Sequence, residues 1–295
     1  MTFDDLPVIS VTQLDAAARQ DITRRLLRGI RSYGAPATGF VNEYGLYGYG
    51  REAKGDPDPD GIAILRMWLD AGLELGNHSF AHTDLHATSP AAFEADVIRG
   101  EAVTRTLLQR RGMPLRYFRH PYLHTGRDLA TKEEVERFLE ARRYRIAPVT
   151  VDNEDWVFAA AYSRAAENGD QAMMKRVTDA YIAYTEQALE YSEKLSRTLF
   201  GREIRQIVLL HANALNASAF AALARMMVRR GYSFVSLDEA LRDDAYRSTD
   251  TYTGDESINW LGRWAVSRGV KKADDVLDDF PEVPDFVVQA SGTKK

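Results

Sequence analysis

The chain has 295 residues, of which 45% are hydrophobic and 27% charged, a composition typical of a globular protein with a large core. It contains no cysteine, so disulfides and thiolate metal sites are excluded. The net charge of −5 with scattered basic residues argues against nucleic acid as a partner, and the short apolar runs argue against a membrane span.

The first half of the chain alternates strand-like and helical patterns, which predicts βα units in a largely parallel sheet. The predicted elements are a helix over 13–32, a strand over 35–41, a helix over 60–72 and a strand that ends at His78. Ser89 and Pro90 indicate a helix start, because a capping hydroxyl precedes a proline in the first turn. This helix is predicted to run to Arg111, where Gly112 ends it.

The second half continues the alternation. The predicted elements are a strand over 115–118 that leads to Arg119, a helix from Thr131 to Arg143, a strand over 144–151 that leads to Asp152, a strand over 206–210 that leads to His211, a helix over 218–230 and a strand over 232–237. Several strands therefore lead directly into a histidine, an arginine or an acid. Because the carboxyl ends of parallel strands meet at one face of an α/β barrel, these polar side chains are expected to share one site.

Residues 157–204 depart from this rhythm. Apolar side chains recur at alternating spacings of three and four residues from Met174 to Leu195, which predicts a long helix with one buried seam. A helix packed on the outside of the domain is favoured, since most apolar stripes face a core. A dimer contact through the 174–198 helix and an arm over the substrate are the alternatives.

The segment 249–295 contains many turn-forming residues but also Trp260 and Trp264. We interpret it as an ordered extension that wraps the rest of the domain. Its last residues, from Ser291 to Lys295, are expected to fray.

His78 and His82 are the most informative pair in the sequence. Imidazoles four positions apart can face one metal ion where the backbone turns, each with a neutral nitrogen at about 2.0–2.1 Å from the ion. Such a pair also arises by chance on solvated helices, so it becomes informative only together with the polar residues at the other strand ends.

Five segments in fixed order carry a family resemblance. They are Thr2–Pro7, His78–His82, Arg119–Tyr122, Asp152–Trp156 and Leu209–His211. In this order they resemble the five motifs of the polysaccharide deacetylases of carbohydrate esterase family 4, the NodB-like homology domain, over residues 2 to about 240. The resemblance implies a distorted (β/α)7 barrel over 1–248, with a helical insertion at 157–204 and a C-terminal extension at 249–295.

The resemblance also implies a metal site. Asp5, His78 and His82 would bind one divalent ion, most readily Zn²⁺, with Co²⁺ or Ni²⁺ as alternatives. An open site with three protein ligands polarises a carbonyl and acidifies water. Asp4 would then be the base that takes the water proton, and Arg119 would orient and charge-stabilise that base.

The remaining roles follow from the same resemblance. His211 would be the general acid that protonates the leaving group, with Asp155 beside it to raise its pKa and fix its tautomer. The acyl pocket would be lined by Tyr122, Trp156 and Leu209. Asn42, which does not belong to the family pattern, is a further candidate for substrate binding.

Taken singly, each of these residues also has a structural interpretation. Asp4 and Asp5 would be surface charges near a chain end, and His211 a hydrogen-bonded core histidine. Asp155 would be a helix cap, and Arg119 a structural ion pair. The joint occurrence favours the functional interpretation, because charged groups gathered in one cleft are costly unless they are used.

Some positions depart from the family pattern. Leu6 stands where the family usually has glycine, and Ala212 and Asn213 stand where it has aspartate. Asn42 and Glu43 are additional polar residues that are predicted to reach the site. Three further histidines match no family ligand and are interpreted as rim residues: His86, His120 and His124.

The start of the chain is unusual for the family, because only Met1 precedes Thr2. Either upstream residues are missing from this sequence or the first strand is shortened, and we expect Asp4 and Asp5 to be less well anchored than the histidines. The chain as written indicates a cytoplasmic protein, and an upstream signal outside it would indicate a periplasmic or secreted one.

The expected function is metal-dependent removal of N-acetyl or O-acetyl groups from an acetylated saccharide or cell-envelope glycan. Two alternatives belong to other classes. One is a catalytically silent sugar-binding relative, and the other is an amidase for a non-sugar amide such as a cyclic imide.

Overall fold

A computed structural model describes residues 1–47, 55–270 and 280–293. Within these ranges the strands are β1 (Thr2–Leu6), β2 (Thr38–Val41), β3 (Glu74–Asn77), β4 (Tyr117–Phe118), β5 (Arg145–Ile146), β6 (Val151–Asp152) and β7 (Val208–His211). They form one parallel sheet in the order β5-β4-β3-β2-β1-β7-β6. The predicted distorted (β/α)7 barrel is therefore confirmed.

Helices cover the outside of the sheet. In the described ranges they are α1 (Ala16–Ser32), α2 (Pro59–Asp70), α3 (Pro90–Arg99), α4 (Ala102–Gln109), α5 (Leu129–Ala141), α6 (Asp155–Glu167), α7 (Gln171–Phe200), α8 (Ala214–Arg229), α9 (Leu237–Ala240), α10 (Trp260–Ser267) and α11 (Asp285–Ser291). Phe3 of β1 packs against Trp68 of α2 and Phe220 of α8, at ring centroid distances of 5.3 and 6.1 Å. These fully buried rings join the sheet to two of its helices.

The first strand is longer and better anchored than the sequence predicted. β1 lies in the middle of the sheet and pairs with β2 on one side and β7 on the other. Thr2, Asp4 and Asp5 are all buried. The expectation of a shortened strand with a poorly anchored acid pair was wrong, because ladders on both sides hold this strand.

The predicted strand over 144–151 is two short strands at opposite edges of the sheet. β5 pairs with β4, and β6 pairs with β7. Between them the Ala147 N–H donates to the Phe118 carbonyl at 2.8 Å, and the Thr150 N–H donates to the Ile207 carbonyl at 2.9 Å. Pro148 lacks an N–H and cannot continue a ladder. The chain thus crosses from one edge to the other where the barrel closes.

The predicted helix from Pro90 to Arg111 is interrupted at Gly100 and becomes α3 and α4. A Cβ at Gly100 would lie 2.5 Å from the Ser79 carbonyl carbon and 2.7 Å from the Phe80 nitrogen. The helix breaks where the backbone of the histidine segment passes against it, a close approach that only glycine permits.

Two local predictions in other helical regions were wrong. The segment 232–236 is not a strand. Ser236 instead caps α9, and Leu237 is buried in a cluster with Phe40 and Tyr117 of the sheet. Asp128, rather than Thr131, caps α5, because its carboxylate accepts the Thr131 N–H at 2.8 Å.

The long helix predicted within 157–204 is present as α7, preceded by α6. Its apolar seam is buried inside the chain, with Val177, Tyr181, Ala188 and Leu195 in the core. The helix packs against α6, α8 and α10. The interpretation of a helix on the outside of the barrel is confirmed, and this seam is used within one chain rather than between two.

The C-terminal segment contributes two helices. Trp260 and Trp264 of α10 are buried in a cluster with Leu195 of α7. α11 packs against α6, and the Ser291 carbonyl accepts a hydrogen bond from Arg164 at 2.9 Å. Ser291 ends this helix and is buried, so the prediction that the chain frays from Ser291 was wrong. Residues 294–295 lie outside the described residues.

Candidate active site

The strands deliver polar side chains to the carboxyl end of the barrel, as the sequence predicted. Asp4 and Asp5 belong to β1, His78 follows β3, Arg119 follows β4, and His211 ends β7. In the ladder between β1 and β7, Asp4 lies opposite His211.

Asp5, His78 and His82 converge on one point. The Asp5 Oδ1 atom lies 3.8 Å from the Nε2 atoms of both His78 and His82. Each residue offers one ligand atom, and these atoms lie within 4.8 Å of one another. Asp5 Oδ1 is buried, and no described residue gives it a hydrogen bond. A buried carboxylate oxygen without a partner that faces two imidazoles is a donor set that suits a divalent metal ion.

The backbone around this point is conformationally unusual. Four non-glycine residues near it have positive φ angles: Asp5 at 57°, Ser79 at 62°, His82 at 54° and Tyr122 at 56°. Such angles cost about 1–3 kcal/mol each and cluster where the surrounding structure enforces them, often at functional sites. Here they turn the side chains at the strand ends toward a common centre.

His78 is held as a neutral ligand. Its Nδ1 atom lies 2.8 Å from the Arg119 carbonyl oxygen, which can only accept, so Nδ1 carries the proton and Nε2 keeps its lone pair. Burial lowers the pKa of His78 to about 3, with the charge of His82 acting in the same direction. The Nε2 atom faces Asp5 and Asp4, at 3.8 and 3.7 Å.

Asp4, the chain neighbour of Asp5, forms an ion pair with Arg119. Arg119 Nη1 lies 3.2 Å from Asp4 Oδ2, while its Nη2 donates to Thr2 Oγ1 at 3.0 Å and its Nε to the Ala147 carbonyl at 2.7 Å. Burial raises the pKa of Asp4, and the charge of Arg119 opposes that rise. Two adjacent carboxylates thus have separate environments, which is how one site assigns them different roles.

His211 is bound tightly to Asp155 on the other side of Asp5. Asp155 Oδ1 lies 2.6 Å from His211 Nδ1, and Oδ2 accepts the His211 backbone N–H at 2.8 Å. Burial opposes protonation of this imidazole, but the charge and hydrogen bond of Asp155 outweigh it and raise the pKa of His211 to about 10. The Nε2 atom faces Asp5 Oδ2 at 4.0 Å.

A buried hydrogen-bond network behind His211 escaped the sequence analysis. Asn216 and Asn213 donate to Asp155 Oδ2 at 2.6 and 3.2 Å. The Tyr181 hydroxyl of α7 donates to Asn216 Oδ1 at 2.8 Å and accepts from Asn153 at 3.0 Å. The position of Asn213 where the family has aspartate was the available signal. The network links the insertion helix to the His211–Asp155 pair.

The predicted acyl-pocket residues have different surroundings. Tyr122 and Trp156 are exposed at 50% and 47%, and the Tyr122 ring lies 4.5 Å from that of His82. Leu209 is buried in a core cluster with Leu123. Asn42 follows β2 and is buried, and its Oδ1 atom receives no hydrogen bond from the described residues.

Two other sequence interpretations need correction. Glu43 does not reach the site, because its buried carboxylate accepts the N–H groups of Val103 and Thr104 at the start of α4, the nearest at 2.7 Å. His120 is not a rim residue. It is 1% exposed and packs against the rings of Phe93 and Phe118.

Two further acids adjoin the site without having been assigned a role. Burial raises the pKa of Asp152, whose carboxylate accepts the Glu154 N–H at 3.1 Å. Burial and the charge of Asp152 raise the pKa of Glu154 to about 7, and its carboxylate accepts the Trp156 indole N–H at 2.8 Å. Both acids belong to the Asp152–Trp156 segment, which was recognised as a motif but not divided into roles.

A comparison with protein families gives one match, a model described as polysaccharide deacetylase, over residues 1–136. This range contains the acid pair, both histidines of the metal triad and Arg119. Over these residues the chain is similar to the polysaccharide deacetylases. The resemblance predicted from the five motifs is therefore confirmed.

Solved structures show the same fold in this family. A family 4 acetyl xylan esterase from Clostridium thermocellum, in complex with a cobalt ion, is 20% identical over 82% of this chain and 88% of its own, with a TM-score of 0.51. A family 4 pseudoenzyme from Bacillus anthracis is 16% identical over 81% of this chain and 63% of its own, also with a TM-score of 0.51. A mutant of that pseudoenzyme is described as having restored enzymatic activity.

Among the described residues, no helix combines the length and the apolar character that crossing a membrane requires.

Proposed function

We propose that this protein is a metal-dependent hydrolase that removes N-acetyl or O-acetyl groups from a saccharide. The observation that carries this proposal is the pairing of two adjacent acids with different partners. Asp5 faces His78 and His82, while Asp4 is held by Arg119. A metal-assisted hydrolase needs one carboxylate as a ligand and a second one to accept a proton.

The ligand set fits one divalent ion. Asp5 Oδ1 is buried without a hydrogen bond from any described residue, and His78 presents a neutral Nε2 atom. His82 completes the set and remains partly open, with its side chain 24% exposed. Zn²⁺ is the proposed ion, with Co²⁺ or Ni²⁺ as alternatives for the same borderline nitrogen and oxygen donors. When bound, such an ion would polarise the acyl carbonyl and acidify a water molecule.

The chain's own residues would then move the protons. Asp4 would accept a proton from the attacking water, and Arg119 orients its carboxylate while its charge opposes the rise in pKa that burial causes. His211, held in its protonated form by Asp155, would donate a proton to the leaving amine or alcohol. Asp4 lies opposite His211 in the ladder between β1 and β7, and the Nε2 atom of His211 lies 4.0 Å from Asp5 Oδ2, so both groups adjoin the same centre.

The exposed aromatic residues support a saccharide as the substrate. Tyr122 and Trp156 present half-exposed rings close to the site, and aromatic faces offer apolar contact area to sugar rings. We propose that Leu209 and Asn42 complete the acyl pocket. The carbohydrate esterases among the solved relatives have the same fold.

A catalytically silent protein is the second candidate, and the pseudoenzyme with the same fold is the observation that favours it. The two candidates differ in what Asp4 does. In the silent protein there is no turnover to lose, so loss of Asp4 would change only the stability of the chain.

The decisive experiment compares Asp4→Asn with Asp5→Asn in the full chain. Acetate release is measured from acetylated chitooligosaccharides, acetylated xylan and a small acetyl ester, with Zn²⁺, Co²⁺ or Ni²⁺ added. Asp4→Asn should bind metal and lose at least about 100-fold in kcat, the usual contribution of a general base. Asp5→Asn should lose turnover together with the ion held by Asp5, His78 and His82.

Asp21→Asn is the matched control, because Asp21 is an exposed acid on α1, and it should keep full activity. If no acetylated saccharide or ester is turned over with any of these metals, the proposal is wrong. Turnover of a cyclic imide or another non-sugar amide alone would identify an amidase instead.

A further inference from the structure

A second group of ligand-type side chains lies outside the proposed catalytic scheme. Asp84, His86 and His124 each offer one ligand atom, and these atoms lie within 4.8 Å of one another. Asp84 and His86 follow His82 in the chain, whereas His124 follows the turn that carries Tyr122. Two separate loops thus meet at this group.

His86 is the least satisfied member of the group. Its residue is 8% exposed, and neither ring nitrogen receives or gives a hydrogen bond among the described residues. Leaving a buried polar group unpaired costs about 1–3 kcal/mol. The backbone N–H of His86 donates to Asp84 Oδ1 at 2.7 Å, and this bond holds His86 beside the Asp84 carboxylate.

The His86 ring lies against the His124 ring. The two imidazoles are stacked, with centroids 3.9 Å apart and planes 5° from parallel, so one ring must turn about its Cβ–Cγ bond for nitrogens of both to point at one ion.

The other two members are already arranged around each other. His124 Nδ1 lies 2.7 Å from Asp84 Oδ1, and His124 Nε2 lies 3.0 Å from Ser257 Oγ. The Asp84 side chain is 29% exposed, so an ion can reach the group from solvent. A carboxylate next to two imidazoles also favours a cation electrostatically.

We propose that Asp84, His86 and His124 form a second metal site, selective for borderline divalent ions such as Zn²⁺, Co²⁺ or Ni²⁺. Two imidazoles and one carboxylate suit these ions, whereas Mg²⁺ and Ca²⁺ prefer oxygen donors throughout. Together with the Asp5 site, the chain would bind two ions. This inference rests on its own residues and not on the proposed hydrolase activity.

The position of the second site gives it a role in holding the cleft. The Tyr122 ring lies between the two sites, 4.5 Å from the His82 ring and 5.8 Å from the His124 ring. An ion that joins Asp84 and His86 to His124 would tie the loop after His82 to the turn that carries Tyr122. Its loss should therefore loosen substrate binding at Tyr122 more than it slows the reaction.

The test counts metal ions in the full chain. Metal-free protein is titrated with Co²⁺ and followed by calorimetry and visible absorption, and bound metal is measured after dialysis against Zn²⁺. The wild type should bind two equivalents. His86→Gln and His124→Gln should bind one, Asp5→Asn should bind one, and the double variant Asp5→Asn with His86→Gln should bind none. Mg²⁺ should not compete.

His120→Gln is the matched control, since His120 is also buried with two unpaired ring nitrogens but belongs to no ligand group in the described residues, and it should keep two equivalents. Circular dichroism verifies folding, and the partly exposed Asp84→Asn gives the same count if His86→Gln fails to fold. One equivalent in the wild type, or two in His86→Gln, would overturn the second site. Two equivalents without any hydrolysis would instead overturn the proposed function alone.

Discussion

Asp155 contacts His211 through both carboxylate oxygens, one at the ring Nδ1 and the other at the backbone N–H, at 2.6 and 2.8 Å. The first contact fixes the tautomer and the second fixes the end of β7. One acid thus sets both the protonation and the position of the proposed general acid.

Replacing Asp155 with Asn should shift the pH profile of hydrolysis. The charge of Asp155 raises the pKa of His211 to about 10 against the opposing effect of burial, so without it the imidazole loses its proton at lower pH. We expect the alkaline limb of kcat/KM to move to lower pH and activity at neutral pH to fall by about 10²–10⁴-fold. Asp21→Asn serves as the control, and an unchanged alkaline limb would exclude His211 as the general acid.

Replacing Arg119 with Met should leave a buried carboxylate without its cation. Arg119 and Asp4 are both almost completely buried, and breaking such a pair costs about 3–5 kcal/mol of unfolding free energy. The charge of Arg119 lowers the pKa of Asp4, so its loss should move the acid limb of the activity profile to higher pH. Urea denaturation and a pH profile measure both effects.

Arg119→Lys is the comparison for this variant. It retains the charge but not the planar group that reaches Asp4, Thr2 and the Ala147 carbonyl together. Its stability should lie between those of the wild type and Arg119→Met. A Met variant as stable as the wild type would show that the pair is not a structural requirement.

Replacing Gly100 with Ala should displace the backbone of the His78–His82 segment, which packs against Gly100. The new Cβ would lie 2.5 Å from the Ser79 carbonyl carbon, so the turn between His78 and His82 must shift. We expect a loss of about 1–3 kcal/mol in stability, as for other overpacked positions, together with weaker binding of Co²⁺ at the Asp5 site. Calorimetric titration and thermal unfolding measure the two quantities.

Gly262→Ala is the control for this prediction, because a Cβ there meets its nearest neighbour at 3.5 Å within α10. It should be neutral or stabilising by up to about 1 kcal/mol. Equal metal affinity in Gly100→Ala and the wild type would contradict the proposed contact.

Replacing Tyr181 with Phe should weaken the network behind His211. The hydroxyl bonds to Asn216 and Asn153. Its removal leaves the buried Asn216 Oδ1 atom without a donor, at a cost of about 1–3 kcal/mol, whereas Asn153 keeps its bond to Thr185. Because Asn216 also holds Asp155, kcat should fall as well. Tyr184→Phe, which loses only a bond to the Pro281 carbonyl, should destabilise without changing kcat. Equal kcat values in the two variants would show that the Tyr181 hydroxyl of α7 does not influence catalysis.

The sequence was informative wherever a strand end carried a polar residue. β3, β4 and β7 end next to His78, Arg119 and His211 as predicted, because buried parallel strands leave a strong apolar signal and their chemistry follows directly. Where the signal is weaker, the predictions failed. The region 144–151 looked like one strand because apolar residues continue through it, although the chain leaves one sheet edge there and joins the other.

The fold class, the family resemblance and the residues that gather at the carboxyl end of the barrel could be predicted from the amino-acid sequence, since they depend on local patterns and on motifs in order. The partner of each acid depends on how distant strands pack and was seen only in the folded chain. Arg119 reaches Asp4 although two strands lie between β4 and β1, because the curved sheet brings their ends together across the barrel. No local pattern encodes a contact across 115 residues of chain, nor the stacking of His86 on His124.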